Sequence, residues 1–321
     1  MGEIESFTIR VCAADSGMRL DALISAYNKN SRTFLAKIVR NGHVLVDGIV
    51  KKPCYKVAAG DLISGAIPPP VRLVFDPEPI SIDSLYEDNE ILVLNKPAGL
   101  VVHPAPGNYS GTLVNGLLYY YPELVCNKDN IRPGIVHRLD KNTSGVLVVA
   151  KNNASHNNLA NQFKDRKVKK KYLALVYGNL KSSKGVIELP LGRHPVDRKK
   201  MSVKSRNGRY ARTFWRVLKQ YQGAALLEVT LDTGRTHQIR VHCAAIGHPV
   251  IGDPVYCSAK AYKNFIHDQN TAAGIISIKR QMLHAWKLSF SHPVSNKVSF
   301  FKAPLPGDMK RVIELLGSQI K

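Results

Sequence analysis

The chain has 321 residues, 44% of them hydrophobic, enough for real packed cores and for two domains. Forty-six Lys and Arg against 24 Asp and Glu give a formal net charge of +22, which favours attraction to a polyanion, most simply a nucleic acid. The composition excludes a disordered or low-complexity chain, and no run of apolar residues approaches the ~18–20 of a membrane span. Five scattered cysteines (Cys12, Cys54, Cys126, Cys243, Cys257) form no Cys-x-x-Cys pair. They therefore suggest neither a disulfide framework nor a zinc knuckle, and point to a reducing cytoplasm.

In chain order, Met18 to Ile24 carries apolar residues at helical spacing. Ser31 is a candidate N-cap for a second helix, with Phe34, Leu35, Ile38 and Val39 on one face. Asn41-Gly42 would end it. Val44 to Val50 reads as two short strands about an Asp47-Gly48 turn, and Gly60-Asp61-Leu62-Ile63 closes the unit. The prolines Pro68, Pro69 and Pro70 favour extended backbone and mark a semi-rigid spacer. Two domains are therefore expected, 1–75 and 76–321.

The remainder alternates apolar strands with helical stretches. Ile91–Leu94, Val146–Ala150, Tyr172–Tyr177, Ala225–Leu231 and Leu283–Leu288 read as strands, and Thr112 as the cap of a helix bearing Leu113, Leu117 and Tyr120. No glycine-rich phosphate fingerprint follows a strand and no regular βαβ rhythm appears. The expected class is α+β, with a mixed, largely antiparallel sheet. Between two apolar strands lies Pro133-Gly-Ile-Val-His-Arg-Leu-Asp-Lys-Asn-Thr-Ser-Gly145, a polar loop on a rigid scaffold. On residue chemistry alone, Asp140 could be a turn residue bonding its own backbone or a functional carboxylate.

The first part, residues 17–75, resembles the S4-type RNA-binding domain through Arg19-Leu-Asp, Ser31-Arg32, Gly42-His-Val-Leu-Val-Asp-Gly48 and Gly60-Asp61. That resemblance puts Arg32, Lys37 and Arg40 on structured RNA. His137-Arg-Leu-Asp-Lys141 resembles the signature of the RluA/RluD pseudouridine synthases. The companion segments follow in order: Asn95 to Pro104, Lys170 to Gly178, Thr233 to His242 and Gly247 to Asp253. Gly107 to Asn115 and Arg132-Pro-Gly-Ile135 resemble the RluD-like branch, which acts on large-subunit ribosomal RNA; Asn142 departs from the Asp often found there.

The resemblance implies isomerisation of uridine to pseudouridine on ribosomal RNA by a cytoplasmic monomer that meets no membrane. Asp140 would be the nucleophile, Arg240 its guanidinium partner, and Tyr172 the ring stacked on an extruded uracil, its phenol helping to remove the C5 proton. Arg138 would fill the vacated stack and Leu283 the pocket floor, with Lys170 and Arg235 at the RNA. The reaction involves no redox change or hydrolysis, so no cofactor or metal is expected. His237 and His242, about 140° apart on a helix, cannot share a ligand face. A non-catalytic RNA-binding or ribosome-assembly factor is the alternative. A glycosidase would need a second carboxylate that is not conspicuous near Asp140. Two basic runs, Lys164–Lys171 and Arg193–Arg212, are expected to track phosphates.

Overall fold

A computed structural model describes residues 5–28, 32–67, 76–104, 107–124, 133–197, 199–257, 274–275 and 277–318. The chain divides into two compact units, 1–74 and 75–321. The expected proline spacer Pro68–Pro70, the cap Ser31, Cys126, Arg132 and Arg198 lie outside the described residues.

The first unit is a four-stranded antiparallel sheet in the order β1-β4-β2-β3, formed by β1 (Glu5–Arg10), β2 (Val44–Val46), β3 (Ile49–Val50) and β4 (Leu62–Ile67). Helices α1 (Leu20–Tyr27) and α2 (Arg32–Arg40) cover it through Leu20, Leu23, Ile24, Leu35, Ile38 and Val39. Asp47 (φ 49°) and Gly48 (φ 75°) both take the left-handed conformation that a two-residue hairpin turn requires. Arg32 ion-pairs with buried Asp21 at 3.1 Å, beside Arg19 at 2.9 Å. Arg19 and then Arg32 hold the Asp21 carboxyl below its usual pKa against desolvation. Lys37 and Arg40 are exposed on the same helix.

The second unit is built on a nine-stranded sheet in the order β5-β6-β7-β14-β8-β13-β12-β9, with β15 also paired to β14. Its elements begin with β5 (Ser84–Glu87), β6 (Ile91–Lys96), α3 (Leu113–Tyr120), β7 (Ser144–Ala150), α4 (Asn153–Lys164), β8 (Lys169–Tyr177) and β9 (Lys184–Glu188). The short hairpin β10 (Gly192–Arg193) and β11 (Met201–Ser202) follows. Then come β12 (Arg212–Tyr221), β13 (Ala224–Leu231), α5 (Gln238–Ala245), β14 (Leu283–Ser291), β15 (Val298–Lys302) and α6 (Gly307–Gly317). Every pairing in the large sheet is antiparallel except β7 with β14. The fold is the α+β arrangement expected.

Strands β6, β7 and β8 are near-continuous apolar runs because both of their faces are buried. One face packs Leu92, Leu94, Leu147, Val149, Ala174 and Val176 against α3 and α5; the other faces α4 or α6. Thr112 starts α3 as expected, its backbone N–H and hydroxyl both donating to Asn115 Oδ1 at 3.0 and 2.5 Å.

The topology places loop 133–145 on the central strands, and hydrogen bonds then fix it. Thr143 N–H donates to Asp140 O at 3.0 Å and forms the turn. The Lys96 ammonium, 1% exposed, donates to the carbonyls of Pro97, Leu100 and Lys141 at 2.7, 2.8 and 3.1 Å. Burial pulls the Lys96 pKa down to about 7, while the charge of Asp140 acts in the opposite sense. Arg280 donates to Asn142 O at 3.3 Å and Gln281 to Thr143 Oγ1 at 3.2 Å. His137 Nε2 accepts from Val148 N–H at 3.0 Å, and its ring stacks on Phe163 at 4.6 Å.

Where the loop enters β7, Gly145 has φ 115°, and a Cβ there would lie 2.1 Å from Ala285 O across the parallel pair. Gly145→Ala is expected to lower the unfolding free energy by on the order of 3 kcal/mol. The urea midpoint measures this, and an unchanged midpoint would contradict the packing. His137 gives a second test. Burial pushes its pKa from 6.5 to about 3, so below 6.5 the unfolded chain takes up a proton that the fold refuses. The contribution of neutral His137 is complete above pH 6.5 and is lost as the pH falls toward 3, at up to about 1.4 kcal/mol per pH unit. His137→Gln should flatten the stability–pH curve in that window; superimposable slopes would refute the assignment.

Candidate active site

Asp140, Tyr172 and Arg240 come from a loop, a strand and a helix, and they meet. Arg240 projects from the first turns of α5 and is 4% exposed. Its Nη1 donates to Asp140 Oδ2 at 3.1 Å, while Nε and Nη2 donate to Asp253 at 2.7 and 2.9 Å. Asp253, in turn, accepts the backbone N–H groups of Val255 and Tyr256 at 2.8 and 3.1 Å. The guanidinium is thus clamped on two edges, its centre lying 5.1 Å from the Tyr256 ring centroid. The Asp140 side chain keeps 20% of its surface open, whereas that of Asp253 has none. Asp140 therefore presents an oriented carboxylate, while Asp253 is consumed in holding Arg240.

Gln238 aims α5 at this point. Its carbonyl accepts from Thr233 Oγ1 and Arg235 N, and its amide donates to Arg212 O and Thr213 Oγ1. The Asp140 side chain opens on a cavity of about 70 Å³ bordered by Arg138, Tyr172, Leu231, Arg235, His237 and Leu283. Leu283 is 4% exposed and forms part of the wall. Burial first, and then the charge of Asp140, pushes the Tyr172 phenol well above its ordinary pKa. It stays protonated at neutral pH and can donate a hydrogen bond.

A larger cleft of about 600 Å³ adjoins this cavity, sharing Arg138, Tyr172, Gly234 and Arg235 with it and adding Lys164, Arg166 and Lys170. Its volume falls within the usual ligand-pocket range. Lys170 is half-buried, and desolvation lowers its pKa against the opposing charge of Asp232. Arg138 is exposed at the boundary of the two spaces.

The structure revises parts of the sequence reading. A second carboxylate, Asp253, does lie close to Asp140, but Arg240 intervenes and ties it up, so it offers no second acid to a substrate. Arg212, counted in the second basic run, begins β12 and pairs with Glu188 at 3.4 Å. The histidine of that helix, His242, uses both ring nitrogens on Thr213 and Leu189 O, at 2.9 and 3.0 Å. The sequence reading assigned no role to Lys96, Asp253 or His237, although each stands inside a quoted motif.

Comparison with known proteins places this geometry in a family. The S4 domain matches residues 18–63 and the RNA pseudouridylate synthase domain residues 90–245. The chain is 44% identical to the uncharacterized RNA pseudouridine synthase YlyB of Bacillus subtilis (strain 168), over 92% of each chain. It is 42% identical to the ribosomal large subunit pseudouridine synthase D of Nitrosomonas europaea, over 96% of this chain and 88% of that one. Human RNA pseudouridylate synthase domain containing 4 superposes with a TM-score of 0.58 at 26% identity, covering 73% of this chain and 93% of the other. A buried Arg240 holding Asp140 open to a cavity, in a chain of this likeness, identifies the protein as a member of the RNA pseudouridine synthase family.

Proposed function

We propose that the chain isomerises uridines of large-subunit ribosomal RNA to pseudouridine, with Asp140 as nucleophile on an extruded uridine. One observation carries the reading: an arginine-held, partly open carboxylate facing a cavity walled by Tyr172 and Leu283. The large-subunit substrate is what the name of the Nitrosomonas europaea relative states for that protein.

The reaction breaks the C1′–N1 bond, turns the base and joins C1′ to C5; C5 loses a proton and N1 gains one, so atoms and electrons balance without a co-reactant. An ionised carboxylate serves it by attacking C1′ or C6, or by supporting positive charge on the sugar. Arg240 orients Asp140 through its 3.1 Å hydrogen bond. The base must leave its stack to reach this depth, with Tyr172 offering a face for the uracil and Arg138 a side chain for the vacancy. Lys170 and Arg235 line the route and meet phosphates. In the first unit, Lys37 and Arg40 are exposed on α2 and, among the described residues, have no carboxylate partner, while Arg32 is partly committed to Asp21.

A non-catalytic RNA-binding factor would have no use for an oriented carboxylate of this kind. Tritium release from C5-labelled uridine in large-subunit ribosomal RNA separates the two readings. Asp140→Ala and Asp140→Asn should each lower release by at least about a thousandfold. Equal release from wild type and both variants would end the nucleophile assignment.

A further inference from the structure

The loop Gly234–Thr236 borders a third cavity, of about 940 Å³, beyond the two already described. The β10–β11 hairpin and the turn from Ser205 to Arg209 enclose it, and Arg193, Arg206, Arg209 and Arg235 all line it, with His194. The acid of this segment, Asp197, is engaged with Lys200 at 3.5 Å and accepts from Lys199 N at 3.1 Å. Among the described residues, neither Arg206 nor Arg209 is paired with a carboxylate. Like charges gathered around one space repel each other, and an anion placed between them relieves that repulsion. The guanidinium fork matches phosphate oxygens in pairs.

A chain of polar contacts, two hydrogen bonds and then an ion-pair distance, leads from this cavity to Asp140. Met201, in its wall, donates its backbone N–H to Tyr256 Oη at 2.9 Å. The same oxygen lies 2.7 Å from His237 Nδ1, and His237 Nε2 lies 3.9 Å from Asp140 Oδ2. With the phenol oxygen accepting the amide N–H, its own O–H is free to donate to Nδ1. The imidazole then carries its own proton on Nε2, toward the carboxylate. His237 is held in the left-handed region at φ 56°, where a non-glycine residue persists only if its surroundings impose it.

We propose that the four-arginine cavity is a subsite for a phosphodiester of the same RNA strand, a short way along from the target uridine, and that Met201, Tyr256 and His237 link its occupation to the position of Asp140. Gly234 and Arg235 belong to the walls of both cavities, so one strand passes from one to the other around this loop. The inference rests on Asp140 being the nucleophile. Tyr256 and His237 are positioning residues: they act through Asp140, whereas the arginines touch the RNA.

The test combines salt-dependent binding of a labelled large-subunit ribosomal RNA fragment with single-turnover tritium release at saturating RNA. For the double variant Arg206→Ala/Arg209→Ala, Kd should rise about tenfold and the log–log salt slope should fall by roughly 1.5. Tyr256→Phe keeps its ring against Arg240; its Kd should stay within about twofold of wild type, while its rate falls about tenfold. His237→Gln, which retains a donor near Asp140, should be faster than His237→Ala. Adding Tyr256→Phe to the arginine pair should slow turnover no further than Tyr256→Phe alone. An unchanged Kd and slope in the arginine variant would remove the subsite, and wild-type turnover by Tyr256→Phe would remove the link. Absence of release by the wild type would count against the Asp140 reading itself, leaving the binding arm to decide on the cavity.

Discussion

A guanidinium at 4% exposure cannot be left without counter-charge, and the second unit is arranged so that Arg240 is not. Asp253 neutralises it bidentately from within, and Asp140 meets its remaining edge. Two regions distant in sequence, the 133–145 loop and α5 with the 247–253 stretch that follows it, are thereby required to converge. Removing Asp253 would strand the charge; removing Asp140 would leave it half-paired. The open carboxylate and the stability of the fold therefore depend on one side chain.

The same economy governs the loop that carries Asp140. Loops move when their backbone groups bond to water, but here Lys96 ties the Lys141 carbonyl to those of Pro97 and Leu100, and Arg280 and Gln281 take two further anchor points. Such a loop holds its carboxylate in one orientation, as the proposed chemistry on a bound base would need. Burying a lysine for this purpose is costly, which its lowered pKa expresses, and the saturated hydrogen bonding offsets that cost.

How much of this the sequence disclosed depended on locality. The strands around Ile91, Val146, Tyr172 and Ala225 were legible because burial on both faces leaves a largely apolar run. Strands β1 and β12 were not. β1 alternates polar and apolar residues over only six positions, and β12 follows a basic run and has its register broken between Val217 and Lys219. Thr112 and the Asp47-Gly48 turn were legible because caps and turns are local chemistry. The meeting of Asp140 with Arg240, a hundred residues later, is not local, and only an ordered set of motifs resembling a family brought them together. Asp253 and Lys96 escaped because nothing in a sequence says that a charge is buried. His237 was weighed only as a metal ligand, whereas its bond to Tyr256 arises from the fold.

The proposed function requires the cavity at Asp140 to be the place where a uridine of the RNA is received, turned and rejoined. A structure of the Asp140→Asn variant bound to a large-subunit ribosomal RNA fragment tests that most directly. One unstacked uridine is expected against Tyr172, with C1′ or C6 within about 3.5 Å of the side-chain oxygen at position 140. A target uridine still stacked in its helix, or bound in another cavity with position 140 out of reach, would contradict it.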